Sequence, residues 1–185
     1  MNNKGRLFVV SAPSGAGKGT VIKELLKLKP ELYLSVSVTT RAPRTGETDG
    51  EAYFFVTREQ FEEMISRAQF FEHAEYVGEY YGTPKAPIYE AIERGQDVLL
   101  EIEVQGAKQV MTAAPEAVTI FIVPPSMEEL ERRLRGRGTD SEEKLKKRLA
   151  MARRELEEKS DYDHVVVNDV AAAAAAEEIL AIMES

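Results

Sequence analysis

The stretch Ser11-Ala12-Pro13-Ser14-Gly15-Ala16-Gly17-Lys18-Gly19-Thr20 limits what this chain can fold into more than any other. An apolar run, Leu7-Phe8-Val9-Val10, leads into it. Val21, Ile22, Leu25 and Leu26 then space out the apolar face of a helix. Strand, glycine-rich turn and helix form the setting that a phosphate-binding loop requires. Gly15 and Gly17 let the backbone turn so that successive N–H groups aim inward at an anion. The helix adds the positive end of its dipole, and Lys18 adds a mobile full charge. The match to G-x-x-x-x-G-K-[ST] departs at two positions: Ala12 replaces the first glycine, and Gly19 stands where a magnesium-binding hydroxyl is usual. Thr20 offers a hydroxyl one residue later. A plain Gly/Ser turn with a solvated Lys18 is the alternative, but strand, turn, lysine and helix together favour bound phosphate.

Composition narrows the class. A chain of 185 residues, 43% apolar and 30% charged, reads as one soluble domain with room for an inserted subdomain. No apolar run approaches the roughly 20 residues of a membrane span. Met1 to Arg6 leads straight into the first strand, so no secretory signal is expected, and a cytoplasmic address is. Without cysteine there is no disulfide, thiol nucleophile or thiolate metal site. A net charge of −8 argues against nucleic-acid binding. Yet Glu131 to Arg154 holds ten Lys/Arg against four Asp/Glu, which suits a small polyanion as well as a solvated helix.

Along the chain, Leu32 to Val38 reads as a strand and Tyr53 to Val56 as a short one. Thr57 and Gln60 form a capping-box signature ahead of a helix burying Phe61, Met64 and Ile65. Phe70 to Tyr81 is aromatic, with Gly78-Glu79 as a hairpin turn. A helix over Thr83 to Arg94 closes at Gly95. Asp97 to Val104 reads as a central strand with Glu101 and Glu103 on one face. A short helix follows from Gly106, then a buried strand from Val118 to Val123. Ser126 and Glu129 cap a helix presenting Met127, Leu130 and Leu134, which Gly136 to Asp140 breaks. Ser141 opens another helix, with Leu145, Leu149, Ala152 and Leu156 as its stripe. His164 to Val167 is the last strand. The Ala171–Ala176 run, with Ile179, Leu180 and Ile182, is a C-terminal helix whose alanines reflect propensity. Strands alternating with helices predict an α/β fold: a mostly parallel sheet covered by helices on both faces. The aromatic strands of the Ser37–Thr83 region predict an inserted α+β lobe.

These residues resemble the guanylate kinase family along nearly the whole chain. The signposts are Ser14-Gly15-Ala16-Gly17-Lys18, Ser37-Val38-Thr39-Thr40-Arg41-Ala42-Pro43-Arg44-Thr45-Gly46-Glu47, Tyr80-Tyr81-Gly82-Thr83, Gln105-Gly106, Gly136-Arg137-Gly138-Thr139 and Val167-Asn168-Asp169. The resemblance implies a phosphate-binding-loop NTPase-type core (1–34, 84–125, 156–185), a GMP-binding lobe (about 35–83) and a helical lid (about 126–155). It implies transfer of the γ-phosphoryl of ATP to GMP, and to dGMP, with Mg²⁺. Ala12 to Thr20, Arg137 and Asn168 are then expected at ATP. Arg41 and Arg44, beside Tyr53 and Tyr81, are expected to clamp the GMP phosphate, since guanidinium forks bind phosphate bidentately. Ser37, Glu72 and Thr83 are expected to read guanine, whose N1–H and 2-amino group suit an ionised carboxylate. Glu101 and Glu103 are expected near GMP, with Glu101 able to reach the magnesium through water; its extra methylene relative to the family's usual aspartate leaves that geometry open. Lys18, Arg41, Arg133, Arg137 and Arg148 are the expected catalytic cations.

Phosphoryl transfer needs alignment and charge stabilisation rather than a protein nucleophile, so the set is chemically sufficient. Two other readings stay open on sequence. One is a kinase of another monophosphate or phosphorylated sugar on the same scaffold. The other is a guanylate-kinase-like module that binds peptides without catalysis, although such modules characteristically lose the phosphate loop.

Overall fold

The computed structural model describes residues 4–136, 141–169 and 171–185. In chain order the elements are β1 (Leu7–Ser11), α1 (Lys18–Leu28), β2 (Tyr33–Leu34), β3 (Val38–Thr39), β4 (Phe54–Phe55), α2 (Arg58–Ser66), β5 (Phe70–Tyr76), β6 (Glu79–Pro84), α3 (Lys85–Glu93), β7 (Val98–Glu101), α4 (Val104–Ala113), β8 (Val118–Val123), α5 (Met127–Gly136), α6 (Glu142–Glu157), β9 (His164–Val167) and α7 (Ala172–Glu184). They fall into two compact units. The first comprises Met1–Leu7, Tyr33–Leu100 and Gln105–Ala117; the second comprises Phe8–Leu32, Glu101–Val104 and Val118–Ser185.

In the first unit β2 and β7 pair in parallel, Tyr33 opposite Val98 and Leu34 opposite Leu99. A four-stranded sheet runs β4-β3-β6-β5, with β3–β4 parallel and both β3–β6 and β5–β6 antiparallel. Its core is aromatic. Phe61 of α2 is fully buried and stacks on Phe70 at 4.5 Å and Tyr80 at 5.2 Å between ring centroids. The capping box forms as read: Gln60 N–H donates to Thr57 Oγ1 at 3.2 Å, and Thr57 N–H donates to Gln60 Oε1 at 2.8 Å.

In the second unit β1, β8 and β9 are parallel neighbours, with Phe8 opposite Val118 and Ile120 opposite His164. Phe8, Val9, Val10, Ile120, Phe121 and Ile122 are buried throughout, as strands packed on both faces demand. α5 and α6 join through Leu130, Leu134, Leu145 and Ala152, against which Met127 and Leu149 also pack. Each of the three buried leucines contributes roughly 1.5–3 kcal/mol on burial. An exposed pair on the same helix, such as Lys147–Glu143 at 2.7 Å, contributes only about 0.3–0.5 kcal/mol. Apolar contact therefore sets where these helices lie.

Several sequence expectations are corrected. The strand expected over Leu32–Val38 divides into β2 and β3, because Tyr33–Leu34 pair with β7 while Val38–Thr39 pair with β4 and β6. The hairpin turn falls at Val77-Gly78, not Gly78-Glu79: both residues have positive φ, 53° and 81°, as a two-residue turn matched to strand twist requires. Thr83 and Pro84 end β6, and the helix starts after them. β7 stops at Glu101, so Ile102 and Glu103 lie in the turn before α4 and the two glutamates do not share a strand face. Gly136 ends α5; the rest of the expected break, residues 137–140, lies outside the described residues. In α7 the buried face is Ala175, Ala176, Ile179 and Met183, so two alanines of the run are packing residues. Leu180 and Ile182 are only half-buried.

Candidate active site

The phosphate loop takes its shape from Gly15 (φ 95°) and Gly17 (φ 93°), both in backbone conformations that disfavour a side chain. Ala16 N–H donates back to Pro13 O at 3.1 Å, closing the turn. Gly17 is the N-cap of α1, so the loop ends on a helix N-terminus and its dipole. Neighbours press against both glycines. A Cβ on Gly15 would stand 2.7 Å from Leu134 Cδ2, and one on Gly17 would stand 2.4 Å from Asn168 Nδ2. The side-chain amide of buried Asn168 donates to Ala16 O at 2.7 Å.

Lys18 Nζ donates to Ile102 O at 2.9 Å and lies 3.6 Å from Glu103 Oε1. Ser11 Oγ donates to the same carbonyl at 3.0 Å. Ile102 O is thus the common acceptor beneath the loop, a main-chain role that no sequence motif announces. Arg133 spends its donors nearby: Nε on Glu129 Oε1 at 2.7 Å, Nη1 on Ala16 O at 3.3 Å, and Nη2 on Asn168 O and Asp169 O at 3.0 and 2.6 Å. Hydrogen bonds from Arg132, then from Arg133, hold the Glu129 carboxyl down at about 2. Arg148 Nη2 reaches Ser14 Oγ at 2.8 Å.

Two cavities open on this loop. One, about 480 Å³, is lined by Gly15, Gly17, Thr20, Glu129, Arg133 and Asn168 among others. The other, about 440 Å³, is lined by Ala12 to Gly15, Gly17 to Thr20, Lys23, Glu101 and Glu103. Among the described residues no group of three or more His, Cys, Asp or Glu could hold a metal. The second cavity nevertheless offers hard oxygen donors, the carboxylates of Glu101 and Glu103 and the Thr20 hydroxyl. That set suits a divalent ion carried mainly on phosphate oxygens and water. Arg137 lies outside the described residues.

The first unit gathers the second constellation. Arg41 Nη2 donates to both carboxylate oxygens of Glu47 at 2.9 Å, and Nη1 donates to Ala42 O at 2.7 Å. The guanidinium lies 5.4 Å from the Tyr53 ring centroid, and Tyr53 meets Tyr81 edge-on at 6.0 Å. The Arg44 main-chain N–H donates to Glu47 Oε2 at 2.8 Å and is the main cause of that carboxyl's lowered pKa. Glu47 is thus the organiser of the arginine loop, a role its place in the Thr-Thr-Arg run does not declare. The Arg44 residue itself is exposed and Ser37 half-buried; Ser37 O accepts from Phe54 N–H at 2.9 Å.

Thr83 Oγ1 donates to Glu72 Oε1 at 2.6 Å. Burial pushes the Glu72 carboxyl up, and the Thr83 hydroxyl pulls it back only in part. The space for that carboxylate is set by Gly106, where a Cβ would stand 3.1 Å from Glu72 Oε2. Gln109, which no sequence motif marks, accepts from His73 N–H at 3.3 Å and donates to His73 O at 3.4 Å, tying β5 to α4.

A strand, a glycine-shaped anion loop and a helix beside parallel strands define a nucleotide-binding α/β protein of the phosphate-loop class. The guanylate kinase family model matches residues 4–185, and the chain belongs to that family. It is similar to the guanylate kinase of Clostridioides difficile, 56% identical over 166 residues, 90% of this chain and 81% of the relative. A crystal structure of guanylate kinase from Anaplasma phagocytophilum superposes with a TM-score of 0.75 at 38% identity, covering 99% of this chain and 86% of that one. At 10% identity, the SH3-kinase fragment of tight junction protein 3 shares the fold alone, with a TM-score of 0.50 over 98% of this chain and 57% of that one.

The loop geometry makes a stability prediction. Gly17→Ala meets both a positive φ and Asn168, whereas Gly46→Ala meets a positive φ of 88° with nothing within 4 Å. Gly46→Ala should cost about 1 kcal/mol of backbone strain, and Gly17→Ala clearly more. Urea unfolding of the two variants measures the excess.

Proposed function

We infer that this chain transfers the γ-phosphoryl group of ATP to GMP, and to dGMP, releasing ADP and GDP. The bond from the γ-phosphorus to the β,γ-bridging oxygen breaks, and a GMP phosphate oxygen forms the new one in line. The acceptor is already ionised, so no side chain need remove a proton. The observation that carries the reading is the hydrogen-bonded pair of half-buried Glu72 and buried Thr83 in a chain whose phosphate loop keeps Gly15, Gly17 and Lys18. Ionised Glu72 accepts from guanine N1–H and the 2-amino group, while Ser37 and Thr83 add hydroxyls. Adenine presents an unprotonated N1 there and no 2-amino group, a mismatch that discriminates by roughly 10⁴-fold.

The main chain from Ala12 to Thr20 cradles the ATP phosphates, and Lys18 neutralises them. Asn168 borders the larger cavity, which suits the adenine end. Arg41, Arg44, Tyr53 and Tyr81 take the GMP phosphate. Arg133, Arg137 and Arg148 complete the charge around the transferring group, with Glu101 and Glu103 as its acidic neighbours. Mg²⁺ bound with ATP would supply Lewis-acid neutralisation of the phosphates, and Glu101 would reach it through water. Residues 35–83 serve as the GMP lobe and 126–155 as the lid, whose closure excludes water and so prevents hydrolysis. No described helix is long and apolar enough to cross a membrane. With net charge −8, the reading is of a cytoplasmic enzyme that binds no nucleic acid.

ADP release in a coupled assay should be rapid with GMP or dGMP and at background with AMP, UMP or ribose phosphates; equal rates with AMP would refute the assignment. Because the Glu72 carboxyl is raised, KM for GMP should climb as pH falls through a value above the usual 4.5, while KM for ATP stays level. The sign on stability is opposite. The folded chain holds that proton more firmly than the unfolded one, so Glu72 costs stability above its raised pKa. Glu72→Gln should therefore melt no lower than wild type at neutral pH, yet raise KM for GMP by about 10- to 150-fold.

A further inference from the structure

β3 lies inside its sheet, between β4 and β6, and ends two residues before Arg41. Its last residue, Thr39, is fully buried. On one side the Thr39 carbonyl accepts from Val56 N–H at 3.0 Å, and on the other Thr39 stands opposite Tyr81. A buried hydroxyl has a proton to donate and lone pairs to fill, and this one does both. Thr39 Oγ1 donates to Tyr80 O at 2.9 Å and accepts from Arg41 N–H at 3.2 Å. One atom thus joins the main chain of Arg41 to that of the residue before Tyr81.

The strand it reaches is well fixed. Thr40 N–H also donates to Tyr80 O, at 3.1 Å, and Thr40 Oγ1 accepts from Tyr80 N–H at 2.9 Å while donating to Glu79 Oε2. The Tyr80 ring stacks on Phe61 and carries the Arg58 guanidinium 4.4 Å from its centroid. Glu47 holds the far end of the Arg41 side chain, with both carboxylate oxygens at 2.9 Å, but that pair closes the arginine loop on itself. The Thr39 hydroxyl fastens the root of Arg41 to the neighbouring strand. A guanidinium with a fixed head and a loose root would still have to be ordered when it takes an anion.

We propose that Thr39 is a positioning residue for the phosphate of GMP. Its hydroxyl sets the spacing between the main chains that carry Arg41 and Tyr81, and with none of its surface exposed it acts through those two residues. The reading rests on Arg41 and Tyr81 taking that phosphate, as inferred above.

Thr39→Val keeps the shape and the strand preference but puts a methyl group where the hydroxyl was. Thr39→Ser keeps the hydroxyl. Valine should raise KM for GMP about fivefold or more, the scale of the lost hydrogen bonds, with KM for ATP within twofold. Serine should stay within twofold of wild type on both. Hydrogen exchange at the Arg41 amide should quicken in valine and not in serine, and this readout needs no substrate. Thr39→Ala removes the hydroxyl without adding a methyl, and should give the same split if the valine variant does not fold. The proposal is overturned if the variants without a hydroxyl keep the wild-type KM for GMP, if serine fails to restore it, if both KM values rise together, or if the Arg41 amide exchanges at its wild-type rate without the hydroxyl. Should the wild-type chain fail to phosphorylate GMP, the functional reading falls, and the exchange comparison alone still decides whether Thr39 holds Arg41.

Discussion

Everything in the second unit answers to one constraint: a short backbone turn has to stay open toward an anion. Two residues at φ near 95° make that turn, and no residue with a side chain adopts it without strain. Such a turn is not self-supporting. Leu130 and Leu134 press on Gly15, the Asn168 amide covers Gly17, and Arg133 gathers the carbonyls of Ala16, Asn168 and Asp169. The loop is shaped by glycine and kept by its neighbours, so an anion meets a cradle whose ordering cost is already met.

The same logic appears in the first unit with charge in place of packing. Arg41 is held bidentately by Glu47, which the Arg44 peptide N–H also binds. An arginine anchored in this way loses less freedom when it takes a phosphate than one free in solvent. Glu129 does the like for Arg133. An acidic chain can thus present local cationic sites, because its carboxylates are spent orienting guanidiniums. Glu72 works in the opposite sense. Its close partner is the Thr83 hydroxyl rather than a guanidinium, and burial holds its carboxyl up.

Local signals in the sequence carried over well. The glycine loop, the Thr57–Gln60 capping box, the Ser126 and Ser141 caps and the apolar stripe of α6 each depend on residues within a turn or two of one another, and each forms. Non-local pairing was less legible. Leu32 to Val38 is apolar enough for one strand, but its halves find partners about 65 and 16 to 44 residues away, and those partners lie in different sheets. Glu103 leaves the strand because α4 begins at Val104, two residues before the glycine that seemed to mark its start. Ala175 and Ala176 look like helix propensity in sequence because their burial comes from a non-local partner, the close approach of α1 to α7.

The central claim is that the backbone from Ser14 to Thr20, with Lys18, is where nucleotide phosphate is held. A ¹H–¹⁵N NMR titration with MgADP tests it most directly. Downfield amide shifts concentrated at Gly15 to Thr20, abolished in Lys18→Met while the remaining spectrum stays native, are the predicted result. Nucleotide binding that leaves those amides unmoved, or that survives Lys18→Met with the same shifts, would contradict it.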